Sequence, residues 1–202
     1  MVKKLVMFLC VLALAPAANS VYAAASDPAV TQVQTLTSAL LKSMRAGPTV
    51  PVTERYRQLK PVIEHTFALP FMTQLSVGAD WAKFSPQQQT ALIASFSRYT
   101  VANYAHNFRT YDGQKFAVDD NVIIRGPDKV VRTNITSSGG TPTTLLYRMR
   151  EVDGKWKIVD VFFNGVSQLT LHRVDFASAI GSGGAPALMA YLNKLSDGLL
   201  MK

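Results

Sequence analysis

Ser167 is the residue of this chain whose setting is most typical of a catalytic nucleophile. The segment Gly165–Leu169 follows a predicted strand and precedes a predicted helix, as a nucleophile elbow does. It lacks the second glycine of the G-x-S-x-G pattern, and only His172 follows it as a possible base. Hydrolases of that class also need a larger parallel sheet than this chain predicts. The pattern therefore favours a turn at Gly165 and a helix cap at Ser167 over catalysis.

The other titratable residues do not have the spacing of a metal site or of an acid–base pair. The chain has three histidines, and no two of them are four residues apart: His65, His106 and His172. Glu64-His65 lacks the rest of an H-E-x-x-H motif. Asp119 and Asp120 are adjacent, so on a strand they would point to opposite faces. We expect no metal ligand and no catalytic residue.

Asp160 is the one carboxylate inside a strongly apolar predicted strand, Lys155–Phe163. A buried carboxylate needs hydrogen-bond donors to offset the cost of its desolvation. We expect a structural role for it, with Arg148, Arg150 or a backbone group as its partner.

The first 25 residues have the three parts of a secretory signal. Lys3 and Lys4 form a basic start, Leu5–Ala15 is an apolar stretch of 11 residues, and Ala23–Ala25 offers an A-x-A cleavage site. The apolar stretch is shorter than the ~20 residues that span a bilayer. We expect Met1–Ala25 to be a signal peptide and residues 26–202 to form a single domain in the periplasm.

The cleaved chain would be basic and free of cysteine. Cys10 is the only cysteine, so neither a disulfide nor a thiolate site is expected after cleavage. Cleavage removes two lysines and no acid, which lowers the net charge from +8 to +6. An exported protein seldom meets nucleic acid, so anionic membrane surfaces or acidic protein partners fit this charge better. The arginines on faces predicted to be polar are Arg98, Arg109, Arg148, Arg150 and Arg173.

The periodicity of apolar residues predicts helices, then strands, then helices. Predicted helices cover Ser26–Ala46, Thr53–Ala68, Phe71–Val77 and a long segment from Pro86 towards Tyr111, followed after the strands by Val166–Ile180 and Pro186–Leu195. Four predicted strands joined by short turns cover Lys115–Arg125, Lys129–Ser137, Thr143–Val152 and Lys155–Phe163. The fold class is therefore α+β: N-terminal helices and a long helix packed on a four-stranded antiparallel sheet, with C-terminal helices.

Two segments together resemble a known family. The first reads W-x-I-x-D-V-x-x-x-G-V-S over Trp156–Ser167 and continues with R-x-x-F at Arg173–Phe176. The second has G-x-x-W at Gly78–Trp81, then P-x-Q-Q, then aromatic residues at helical spacing, then a Y-x-G turn at Tyr111–Gly113. Their order resembles the MlaC family of periplasmic lipid shuttles, also called toluene-tolerance auxiliary proteins, which includes the hopanoid-associated HpnM branch. The resemblance runs from about Thr53 to Leu195.

This resemblance implies a carrier that holds phospholipid tails inside the protein and leaves the head group near a mouth. Such carriers pass lipid between an outer-membrane lipoprotein complex and an inner-membrane ABC transporter complex. The lipid is cargo, so no cofactor, no catalysis and no nucleic acid are implied, and we expect a monomer. A hopanoid-type lipid remains an alternative cargo.

The predicted lipid-binding residues come from one stripe of the long helix and one face of each strand. They are Phe71, Met72, Phe96, Tyr99, Tyr104, Phe108, Val122, Ile124, Tyr147 and Phe162. The sequence does not say which sheet face is inward. Two other classes also fit this surplus of apolar residues: a non-catalytic α+β interaction module with a filled core, and an enzyme on a nuclear-transport-factor-like cone fold. The enzyme would need a polar, titratable pocket floor.

The signal peptide gives the first testable prediction. We expect cleavage before Ser26, or two residues earlier before Ala24, because both sites follow small residues after the apolar stretch. N-terminal sequencing of protein from the periplasmic fraction measures this. A periplasmic protein that still begins at Met1 would contradict it.

Overall fold

The computed structural model describes residues 26–201, in which four helices, an antiparallel sheet and a last helix follow one another. The α-helices are α1 (Pro28–Arg45), α2 (Val52–Thr66), α3 (Leu69–Val77), α4 (Pro86–Asn107) and α5 (Gln168–Leu200), with a 3₁₀ helix at Gly78–Lys83. The strands are β1 (Lys115–Val118), β2 (Ile123–Arg125), β3 (Asp128–Thr136), β4 (Thr143–Val152), β5 (Lys155–Phe163) and β6 (Val166–Ser167). The predicted α+β class is confirmed, with six strands instead of four. The predicted signal peptide lies outside the described residues.

Local capping signals place the helix starts. The Asp27 carboxylate accepts a hydrogen bond from the Ala29 N–H at 2.8 Å, and Pro28 occupies the first turn of α1. At α4 the Ser85 hydroxyl accepts from the Gln88 N–H, while the Gln88 side chain accepts from the Ser85 N–H. This reciprocal pair is a capping box. The helix α2 continues across Pro61, which neither ends it nor divides it.

The sheet order is β1-β3-β4-β5-β6, with β2 also paired to β3 and all pairs antiparallel. The predicted strand Lys115–Arg125 is therefore two strands on the same edge of β3. The break is an Asx turn, in which the Asp119 carboxylate accepts from the Asn121 N–H at 2.9 Å. The pairing with β3 shifts by two residues across this turn, so the residues on either side of it keep the same sheet face.

The free side of β5 is covered by the junction between α2 and α3. Phe67 forms an isolated parallel bridge with Ile158, and the Ala68 N–H donates to the Ile158 carbonyl at 2.9 Å. Backbone groups at a sheet edge that would otherwise be unpaired are satisfied in this way. The junction also brings Phe67 to the sheet, where its side chain is buried.

The helices cover one side of the sheet but do not all touch it. The helices α1, α2, α3 and α5 contact β5, whereas α4 packs mainly on α2, α3 and α5. Among the described elements, no strand is in extensive contact with α4. A space therefore remains between α4 and the sheet.

The C-terminal helices form one element with an internal break. The helix α5 runs to Leu200, but Gly183 and Gly184 have non-helical backbone angles. The predicted helical pair is thus present. Its first helix begins at Gln168, two residues later than predicted, and its second continues beyond the predicted end at Leu195 to Leu200. Within residues 26–201, we find no helix that combines the length and the apolar character needed to cross a membrane.

Several arginines expected to be available to partners are paired within the chain. Arg148 Nε and Arg150 Nε bind the Asp128 carboxylate at 2.7 and 2.5 Å. Burial alone would raise the pKa of Asp128, but hydrogen bonds from the two arginines hold it below its usual value. Arg98 Nη2 lies 2.6 Å from the Asp197 carboxylate. These three are thus less suited to binding a partner than the sequence indicates.

Arg55 joins the first two helices through a buried guanidinium. The side chain is only 1% exposed, and its Nη1 and Nη2 donate to the carbonyls of Ser43 and Gly47 at the end of α1. Burial lowers its pKa, and the nearby charge of Arg109 adds to this effect. Carbonyls at a helix C-terminus have no partner within the helix and attract a cation. Arg55 therefore caps α1 from α2.

Replacing Arg55 tests this cap. We expect Arg55→Ala to lower the free energy of unfolding by about 3 kcal/mol, because it leaves the carbonyl of the buried Ser43 without this donor and removes a buried side chain. Arg57→Ala is the matched control: its side chain is 73% exposed and pairs only with Glu54, so we expect a change below about 0.5 kcal/mol. Urea denaturation measures both. Equal effects of the two substitutions would contradict the capping role.

Candidate functional site

A cavity of about 460 Å³ fills the space between α4 and the sheet. The helix α4 forms one wall, β4 and β5 form the opposite wall, and the first turns of α5 form the third. The volume lies in the range of about 300–1,000 Å³ that is usual for small-molecule sites. A second hollow of about 430 Å³ between α1 and α2 has no aromatic residue in its wall.

The inner end of the cavity is apolar and out of contact with solvent. Buried wall residues are Phe67, Met72, Phe96, Leu145, Tyr147, Val161 and Leu169. The strand residues share one sheet face because Leu145 is paired with Phe163, and Tyr147 with Val161. The hydroxyl of Tyr147 is buried and has no hydrogen-bond partner among the described residues.

Aromatic rings hold the α4 wall in place. The rings of Tyr104 and Phe108 are stacked with centroids 5.6 Å apart, and Tyr104 meets Phe67 edge-on at 5.4 Å. Phe96 packs edge-on against Phe176 of α5 at 6.1 Å. Such pairs have preferred geometries and rigid side chains, so they resist collapse of the wall into the space.

The outer end of the cavity is polar but uncharged. Eight wall residues remain partly or well exposed. Two of them are Tyr104 and Phe108 of the stacked α4 wall, and the six at the outer end are Tyr99, Asn103, Asn107, Phe163, Gln168 and His172. None of the residues that line the cavity is Asp, Glu, Lys or Arg. We use the name rim for the five polar residues at the outer end: Tyr99, Asn103, Asn107, Gln168 and His172.

Burial keeps the titratable groups of the cavity neutral near pH 7. It raises the pKa of Tyr104 and of Tyr147, each well above the usual value of a phenol. It lowers the pKa of His172, although the charges of Asp175 and Asp160 partly oppose this. The His172 ring packs between Tyr99, at 5.6 Å, and Phe176, at 5.5 Å. The site therefore offers neutral hydrogen-bonding groups and no charge.

Asp160 joins the sheet wall to the α5 wall. Its carboxylate accepts from the Val161 N–H at 2.8 Å, the Leu169 N–H at 3.1 Å and the Ser167 hydroxyl at 2.7 Å. The Ser167 hydroxyl in turn accepts from the Thr170 N–H at 3.0 Å. Asp160 thus has the predicted backbone partners, whereas Arg148 binds Asp128 instead. Ser167 has the predicted capping role.

This arrangement is unsuited to a serine nucleophile. The Ser167 proton is directed to a carboxylate, and His172 lies among aromatic rings and is not hydrogen-bonded to Ser167. A nucleophilic serine needs a base within hydrogen-bond reach. Within residues 26–201, no group of three His, Cys, Asp or Glu residues has the arrangement of a metal site.

The structure brings six of the ten predicted site residues to the cavity wall: Met72, Phe96, Tyr99, Tyr104, Phe108 and Tyr147. The other four lie elsewhere: Phe71, Val122, Ile124 and Phe162. The predicted stripe of α4 therefore lies in the cavity wall, whereas three of the four predicted strand residues lie outside it. That these residues bind lipid stays a prediction.

Each misplaced residue has a physical reason. Ile124 follows the Asx turn at Asp119 and is 71% exposed, while Val122 packs on the core beside that turn. Phe162 pairs with Leu146 on the face opposite Val161. Phe71 lies under the Arg150 guanidinium, 5.2 Å from its ring centroid.

Sequence reasoning missed several wall residues, of which the most informative are Asn103, Asn107, Gln168 and His172. Asn103 and Asn107 are four residues apart on α4, and Gln168 and His172 are four residues apart on α5. This spacing places both members of a pair on one helix face. Amide side chains at this spacing, next to the aromatic stripe of α4, could have indicated a polar end of the site. Leu145 and Phe163 could be found only with the strand register.

Comparison with known proteins agrees with the resemblance found in the sequence. The family model described as MlaC protein matches residues 32–194, so the chain belongs to the MlaC family. The toluene tolerance protein ttg2D of Pseudomonas putida is 26% identical over 102 residues, which are 50% of this chain and 47% of that protein. The alignment thus spans about half the length of this relative.

A solved structure has the same fold. It is the phospholipid-binding protein from Ralstonia solanacearum in complex with a phospholipid, with a TM-score of 0.73 and 22% sequence identity. The match covers 85% of this chain and 98% of that chain. The order of helices and strands described above is therefore that of a known fold.

The pKa of His172 predicts how stability changes with pH. The unfolded chain binds a proton at this histidine near pH 6.5, whereas the folded pKa is lower. The contribution of neutral His172 is therefore complete above about pH 6.5 and declines as the pH falls below it. We expect wild type to lose more free energy of unfolding than His172→Gln between about pH 7.5 and about pH 5.

Urea denaturation at each pH measures the difference, and His65 and His106 are present in both proteins and cancel. Parallel pH profiles of the two proteins would contradict a buried, neutral His172.

Proposed function

We propose that this chain is a periplasmic carrier that holds the acyl chains of a phospholipid in the cavity beneath α4. The observation that carries the proposal is the cavity itself, which is apolar and buried at its inner end and polar and open at its outer end. A phospholipid has the same division into an apolar and a polar part. Membership of the MlaC family and the fold shared with a phospholipid-bound protein support it.

The physical driving force is the removal of methylene groups from water. Each buried methylene contributes about 0.8 kcal/mol, so ten of them contribute ~8 kcal/mol before the entropy cost of association. Specific bonds to the head group are not required for retention.

The cavity favours binding over catalysis. An enzyme on a cone-shaped fold would need a polar, titratable floor, and the floor here consists of Phe67, Phe96, Tyr147 and aliphatic side chains. A filled-core interaction module would not leave a space of this size between α4 and the sheet. We infer no cofactor, and the lipid is cargo.

As a carrier, the protein would work between two membranes. We propose that it receives lipid from, or delivers it to, an outer-membrane lipoprotein complex and an inner-membrane ABC transporter complex, as the family resemblance implies. The protein would act as a monomer, since one chain contains the whole cavity. The basic charge of the chain supports contact with anionic surfaces.

A charge at the cavity mouth tests the carrier function. Phe163 lines the cavity and is 49% exposed, so Phe163→Asp places a carboxylate beside the acyl chains without entering the packed core. We expect ~tenfold less co-purified phospholipid, because an unpaired charge against hydrocarbon is costly. Ile124→Asp is the matched control, since Ile124 is 71% exposed and outside the cavity.

Lipid extraction with mass spectrometry measures the cargo, and circular dichroism checks the fold of both variants. If wild type expressed with membranes present carries no lipid and a lipophilic dye finds no site, the carrier function is wrong. Equal lipid content in the two variants would show that the cargo lies elsewhere.

A further inference from the structure

The rim of the cavity is a strip of neutral hydrogen-bonding side chains on two facing helices. Tyr99, Asn103 and Asn107 follow one another at four-residue intervals on α4, and Gln168 and His172 do so on α5. Residues four apart lie on one helix face, so each helix presents a continuous polar edge to the cavity. The strip lies just outside the apolar end.

Some hydrogen-bond donors of the strip have no acceptor among the described residues. Asn107 Nδ2 donates to Asn103 Oδ1 at 2.9 Å. This bond uses the side-chain oxygen of Asn103 and leaves the two N–H groups of the Asn103 amide free to donate. Among the described residues, neither the side-chain nitrogen of Asn103 nor the ring of His172 has a hydrogen-bond partner. The rings of Phe96, Tyr99 and Phe176 fix the orientation of the imidazole.

The absence of charge in this wall limits what the strip can recognise. A phosphate or carboxylate is usually held by arginine or lysine, which form strong charge-assisted bonds. No residue lining the cavity carries such a charge. A neutral acceptor next to an apolar chain fits better, and an ester carbonyl at the end of an acyl chain is such an acceptor.

We propose that Asn103 and His172 donate hydrogen bonds to the ester carbonyls that join the acyl chains to the cargo backbone, so that the rim selects ester-linked chains and not head-group charge. This inference rests on the proposed carrier function and specifies its cargo. Any lipid with ester-linked chains and a neutral or charged head group would meet the requirement. Ether-linked chains of equal length lack the carbonyl and would leave the donors unpaired.

The test compares two lipids that differ only in this linkage. Delipidated protein is loaded with a lipophilic dye, and the dye is displaced by diester or by diether phosphatidylglycerol with chains of the same length. We expect the diester lipid to bind about tenfold more tightly, because a bound diether lipid would cover the rim donors without offering them an acceptor. Exchange of phosphatidylglycerol for phosphatidylcholine should change affinity by less than about twofold, at low and high salt.

Two substitutions locate the effect. Asn103→Leu keeps the size of the side chain and removes its donors, so the ratio of diester to diether affinity should fall well below ten, with only the contribution of His172 left. Asn193→Leu is the matched control, since Asn193 is exposed on α5 and does not line the cavity, and the ratio should stay at about ten.

The outcomes separate this inference from the carrier function. If both lipids displace the dye from wild type equally well, the ester selection is wrong and the carrier function stands. If neither lipid displaces the dye, both are wrong. A salt-dependent preference for the anionic head group would also overturn the inference, since it requires a charged contact at the rim.

Discussion

The geometry of the cavity depends on the buried carboxylate of Asp160. It is 3% exposed and accepts hydrogen bonds from donors of β5, of β6 and of α5. A buried carboxylate is stable only when its acceptor sites are used, so these three segments are held together. Val161 of the sheet wall and Leu169 of the helix wall are bonded to the same group. The two walls therefore keep a fixed separation at this corner.

The cavity exists because α4 is supported by helices and not by the sheet. Val101, Ala102 and Ala105 of α4 are buried in the helical layer, where α2 and α5 pack against it. On the other side of α4, stacked rings such as Tyr104 and Phe108 face the space. Small residues bring α4 close to its helical neighbours, and large rigid ones keep it away from the strands.

Much of the fold could be predicted because its signals are local. Asp27-Pro28 and Ser85-Pro86 mark helix starts within a few residues, and the switch in apolar period marks the sheet. The aromatic stripe of α4 identified its cavity face for the same reason. The burial of Ser95 and Ala102 could not be read from the sequence of α4 alone, because it depends on the packing of other helices against α4.

The strand side of the site could not be predicted because it depends on register. The Asx turn at Asp119 divides the first predicted strand, and an irregularity between Arg148 and Met149 shifts the pairing of β4 with β5. The irregularity is a one-residue shift, so it moves the following side chains of β5 to the other sheet face, whereas the turn shifts the pairing with β3 by two residues and keeps the face. Phe162 therefore faces away from the cavity and Phe163 lines its mouth, while Ile124 is exposed on the short strand β2.

The break in α5 divides the helix into a segment that lines the cavity and a segment that packs in the core. Gly184 has φ 64° and ψ −147°, a backbone conformation that is accessible essentially to glycine alone. The segment before it carries Gln168 and His172, and the segment after it packs Leu188 and Leu192 into the core. The direction of the cavity wall is therefore not dictated by the core packing of the second segment. Substitutions of Gln168 and His172 can alter the width of the mouth while Leu188 and Leu192 keep their places, so the shape of the opening can change independently of this part of the core.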